Sequence, residues 1–171
     1  MLPKNDGTTG SMVTKETVFA TLREARRVLR NHGCTCHVTA DEFVRWLHTD
    51  TPYPNPTFGD IVENPLFVIH ELVEIETVKR TGLKLTKDVI LRNPLPIAAA
   101  HLKAAEVEFS IAFETGAYDH LKMRVEHAKA WCEDPALTPA LRKRHAAFRD
   151  KWVQRLYQSA YDDMVADWVF E

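Results

Sequence analysis

Hydrophobic residues return every three or four positions through most of this chain, the repeat of a helix that buries one face. Val18, Leu22, Ala25 and Leu29 recur at spacings of four, three and four behind Thr14, a residue suited to cap a helix, and Gly33 can end it. Thr39 followed by Glu42 is a capping-box pattern that opens a short helix carrying Phe43, Trp46 and Leu47. Three prolines between Thr49 and Pro56 predict a loop.

Beyond it, Asn64-Pro65 reads as an N-cap with proline at the first helical position, and a helix runs from there to Gly82. Leu66, Phe67, Val68, Ile69, Leu72, Val73, Ile75 and Val78 surround nearly its whole circumference, which predicts a central, buried element. A short helix is expected near 86–92, a break at Asn93-Pro94 and a restart at Pro96 that continues to Gly116. Further helices are predicted from Tyr118 to Cys132 and from Thr138-Pro139 to the end of the chain, the last with Leu141, Phe148, Trp152 and Leu156 on one stripe.

With no strand pattern and no internal repeat, the fold class is all-α. The expected architecture is a bundle of about four long helices with two shorter N-terminal helices packed on it. Residues 12–171 form the single helical domain, and the polar, Gly/Thr-rich residues 1–11 form a disordered or foreign tail. A chain of 171 residues with 45% hydrophobic and 27% charged residues can build such a core without staples.

Charge narrows the partners. A formal net charge of −2 offers no general attraction to nucleic acid. Three cysteines, Cys34, Cys36 and Cys132, are too few and odd in number for a disulfide framework, and no apolar run is long enough to span a bilayer. Together with an N-terminus unlike a signal peptide, these features point to the cytoplasm.

The candidate chemistry lies on the inner faces of the helices. At 100° per residue, His101 and Glu108 fall opposite the solvent face of their helix, among Ile97 and the small Ala104, Ala105 and Ala112, which admit a neighbouring helix closely. His70 and Glu74 share one face of the preceding long helix, with Glu71 beside them. His120, Arg124 and His127 line one edge of the next apolar stripe. Buried carboxylates need a partner or a cation, and inward His and Glu side chains from facing helices are how bundles hold zinc, iron or manganese.

The expected ligands are therefore His70, Glu74, His101, Glu108 and His127, with His120 assisting and a divalent metal ion (zinc, iron or manganese) as cofactor. In a metal-dependent hydrolase Glu71 would be the general base. His101 and Glu108 stand two turns, about 10 Å, apart along their helix, so they serve different ends of an extended site. The competing reading is a non-catalytic interaction or regulatory protein in which pairs such as His70 with Glu108, or Glu74 with Arg124, only fix helix register.

Known motifs are not met. There is no Glu-x-x-His pair of the ferritin-like kind. HELVE at 70–74 has Glu74 where the zincin pattern needs histidine, and the one Asp-His neighbour, Asp119-His120, is reversed relative to HD phosphohydrolases. The string HGCTCH, with His32, Cys34, Cys36 and His37, has metal-ligand chemistry without a standard zinc spacing.

On the last helix, basic residues from Arg142 to Arg155 precede the acidic Asp162, Asp163, Asp167 and Glu171. An antiparallel contact between two copies would pair these charges, and Trp152, Tyr157, Tyr161, Trp168 and Phe170 supply apolar surface, so a homodimer through this helix is expected. A nucleic-acid role for the basic half is the weaker reading, and the substrate is open.

Overall fold

Residues 14–52 and 57–169 are described by the computed structural model, with side chains through residue 160. They form eight helices and, among the described residues, no strand. α1 (Lys15–Asn31) is capped by the Thr14 hydroxyl, which accepts from the Thr17 N–H, and α2 (Ala40–Leu47) opens on the reciprocal bonds between Thr39 and Glu42. The expected loop is non-helical at residues 50–52, and residues 53–56 lie outside the description.

α3 (Phe58–Glu63) was not foreseen. It is too short to show a period, but Thr57 and Asp60 bond each other's backbone in a second capping box, a signal present in the sequence. α4 (Pro65–Arg80) follows at once. Its cap residue Asn64 accepts from the Leu66 and Phe67 N–H groups, leaving Pro65 where no N–H is needed. After the single turn of α5 (Val89–Arg92) comes α6 (Pro94–Glu114). It starts at Pro94 rather than Pro96, because both prolines fit inside a first turn whose N–H groups have no intrahelical acceptor.

Gly116, with φ of +71°, reverses the chain into α7 (Tyr118–Glu133), and α8 (Pro139–Val169) completes the fold. α4 and α6 make the principal helix pair, α7 packs chiefly on α8, and α1 lies directly on α4. α1 is therefore a full member of the core: Val18, Leu22, Ala25 and Leu29 are all buried in it. The picture of two N-terminal helices appended to a four-helix unit is too coarse for this element.

α6 divides the apolar interior in two. On one side Ile97, Ala100, Ala104 and Ile111 join α1 to α4. On the other, Leu102, Ala105, Phe109 and Ala112 meet Leu121 and Val125 of α7 and Phe148 and Trp152 of α8. Ala104, Ala105 and Ala112 are fully buried, so α6 comes close to its neighbours on both flanks. Trp152, expected to help form a dimer surface, is wholly buried against Phe109 and Phe148. Tyr157 is exposed, while Tyr161, Trp168, Phe170 and the acidic residues from Asp162 on lie outside the described side chains.

Candidate metal centre

A charged layer runs between the two apolar clusters, and its hub is Glu108, which is completely buried. Arg124 of α7 binds it through two parallel bonds, Nε to Oε1 at 2.7 Å and Nη2 to Oε2 at 2.9 Å. That fork is the strongest geometry available to a buried carboxylate. The Arg124 guanidinium also lies over the rings of Phe67 and Trp131. Burial alone would raise the Glu108 pKa, but the Arg124 charge and the bonds from His120 and His70 hold it well below the usual carboxylate range.

Two histidines complete the hub. His120 donates from Nε2 to Glu108 Oε1 at 2.7 Å, and its Nδ1 faces the amide nitrogen of Asn64 at 3.4 Å. The residue that caps α4 thus also helps set the His120 tautomer. His70 donates from Nδ1 to Glu108 Oε2 at 2.7 Å, which leaves Nε2 facing the other way.

There His70 Nε2 meets two more electron-rich atoms. It lies 3.1 Å from His101 Nδ1 and 3.3 Å from Glu74 Oε2, and those two are 3.4 Å apart. Three lone-pair donors this close repel one another unless a positive charge sits among them, and only a proton or a metal cation can supply it. Without metal, burial opposes protonation of His70, but its bonds to Glu108 and Glu74 prevail and raise its pKa to about 9. Burial likewise opposes ionisation of Glu74, yet the proton shared by the facing His101 and His70 imidazoles holds it down at about 2. Burial keeps His101 low, so it stays the neutral, ligating form.

The spacing fits a cation as well as it fits a proton. Four ligands placed tetrahedrally at about 2.0–2.1 Å from zinc are separated by about 3.3–3.4 Å, the size of this triangle. A cation over the three atoms would keep one side open, and His101, at 27% side-chain exposure, is the ligand nearest solvent. Glu108 would act behind His70 as the carboxylate that fixes its ring, the usual outer partner of a metal-bound histidine.

His101 and Glu108, two turns apart on α6, therefore contact opposite edges of the same His70 ring. Of the residues expected to ligate, His70, Glu74 and His101 converge, and Glu108 stands one layer behind them. His127 is exposed. It shares an angular position with His120 but lies seven residues, about 10 Å, further along α7, past the reach of α4. Glu71 turns toward α2, where its Oε2 accepts the Trp46 indole N–H at 2.8 Å. Burial, then the charge of Glu74, raises its pKa to about 7. Arg124 pairs with Glu108, not with the expected Glu74.

The HGCTCH string does not assemble a site among the described residues. His32 bonds the Val28 carbonyl and Glu114, while Cys34 and Cys36 pack against the core, Cys36 reaching the Leu72 carbonyl. His145 of α8, by contrast, was missed. It is 2% exposed and stands four residues after Leu141 and three before Phe148, on the very stripe that identified the helix. A histidine on that stripe was the signal; the basic residues around it hid it.

Among the described residues, no helix is long and apolar enough to cross a membrane. Compared with family models, with curated proteins and with solved structures, the chain matches none.

Proposed function

We propose that this protein is a helical metal-binding protein whose ligands are His70 Nε2, one oxygen of Glu74 and His101 Nδ1. The observation that carries the reading is the triangle of 3.1, 3.3 and 3.4 Å between these atoms. Two imidazoles and a carboxylate suit zinc first, and iron or manganese next. Three protein ligands with an open side are the arrangement of catalytic rather than structural zinc sites.

On that ground we extend the proposal to metal-assisted hydrolysis, in which the cation polarises the substrate and lowers the pKa of water. Glu71, next in sequence to His70 and with a carboxyl raised toward neutrality, is the proton acceptor in that reading, which requires it to leave the Trp46 indole it accepts from and turn to the cation. Glu71→Gln should leave metal content intact and remove hydrolysis.

The second reading, a structural network in an interaction protein, draws on the same triangle held together by a protonated His70. Elemental analysis of protein purified without chelator or a metal-carrying tag separates the two. Near-stoichiometric zinc, iron or manganese, lost in His70→Ala and His101→Ala, is the expected result. No metal, even after incubation with each ion, would overturn the proposal.

A further inference from the structure

Three buried side-chain atoms among the described residues have no hydrogen-bond partner: His101 Nε2 and both ring nitrogens of His145. All three belong to two rings that pack edge-on against one indole. His101 lies 4.5 Å from the Trp131 ring at 90°, and His145 lies 6.2 Å from it at 75°. A buried polar atom left unpaired costs about 1–3 kcal/mol, so two such rings against one indole call for a partner they can share.

Proton bookkeeping identifies it. His101 Nδ1 faces His70 Nε2 and Glu74 as a lone pair, whether the charge among them is a metal ion or the His70 proton. A neutral imidazole with a bare Nδ1 carries its proton on Nε2. That Nε2–H is the unpartnered donor. His145 is neutral too, because a buried ring with no hydrogen-bonded carboxylate has nothing to stabilise its charged form. It has one lone pair to offer and one N–H to place. The Ala98 carbonyl lies near enough to favour a proton on the ring, though outside hydrogen-bonding geometry.

We propose that His145 is a positioning residue for the metal centre, joined to His101 Nε2–H through one buried water. The water accepts from His101 and donates to His145, and the remaining His145 N–H turns to the Ala98 carbonyl. One water and the Ala98 carbonyl thereby satisfy the three atoms, and α8 holds the His101 ring with Nδ1 toward the cation, much as Glu108 holds His70. Metal-bound histidines nearly always have such an outer partner, and its loss weakens binding by about 10–100-fold. This inference rests on the metal-centre reading for its effect on affinity, but not for its effect on the His101 tautomer.

The test pairs two measurements on the full chain. Zinc affinity is taken by competition with a chromophoric chelator, and the His101 tautomer by long-range proton–nitrogen NMR, with and without zinc. His145→Leu should weaken zinc by about 10–100-fold and give His101 a mixture of tautomers, while His145→Gln, whose amide can still accept from the water, should restore most of both. Circular dichroism establishes that each variant is folded.

Unchanged affinity and an unchanged tautomer in folded His145→Leu would overturn the proposal. So would a wild-type His101 with its proton on Nδ1, a result that needs no variant. If wild type binds no zinc, the metal-centre reading fails, and the tautomer in metal-free protein still decides whether His145 orients His101.

Discussion

Glu108 shows how a single buried residue can set the state of its neighbours. Its two oxygens carry Arg124, His120 and His70, so removing its charge leaves a guanidinium buried without a counter-ion. Glu108→Gln should cost about 3–5 kcal/mol in urea denaturation, the range for a broken buried ion pair. The histidines give opposite pH signatures in metal-free protein. His70, raised to about 9, adds stability that is complete below about 6.5 and is lost as pH rises through 9. His145, lowered to about 4, adds stability that is complete above about 6.5 and is lost as pH falls through 4. Urea midpoints measured against pH should decline on both sides. Saturating zinc should remove the alkaline decline, because the cation replaces the His70 Nε2 proton; a decline that persists with zinc bound would mean that His70 is not a ligand.

At the scale of elements, the site depends on how α4 and α6 are held. Asn64 caps α4 and also faces His120, so Asn64→Ala should lose about 1 kcal/mol of stability and loosen His120 on Glu108. Ala104 is fully buried on α6, three residues after His101. Ala104→Leu should overpack this contact, costing about 1–3 kcal/mol, and should spread the triangle so that zinc binds more weakly than in wild type. Calorimetric titration of the folded variant checks the second half of that expectation. α6 was legible from its inward His and Glu residues and its small neighbours. Its start at Pro94 was not, because proline breaks a helix only where an N–H is required.

For the whole molecule, a cation bound across α4 and α6 ties the principal helix pair together. Zinc at about a hundredfold over its Kd should add about 2.7 kcal/mol, or about 5–10 °C in Tm for a domain of this size, and a chelator should reverse it. An unchanged melting curve would speak for the structural network. Dimerisation through the end of α8 stands as a proposal, now without Trp152, which its own core has taken up; sedimentation at micromolar concentration giving the mass of one chain would remove it.

The one-dimensional pattern determined that the described chain is helical, where most helices start and stop, and that His70, Glu74, His101 and Glu108 face inward, because period and caps are local properties. It could not separate His120 from His127, which share an angle on α7 and differ only in how far along the neighbouring helices they lie. Nor could it divide the inward residues into a triangle and a supporting layer. That division depends on which edge of the His70 ring meets each neighbour, a matter of angstroms set by the close packing of α4, α6 and α7. His145 needed the tertiary structure for the same reason: its partners come from α6 and α7, some 40 residues away in one case, and only packing brings their unpaired nitrogens to one indole.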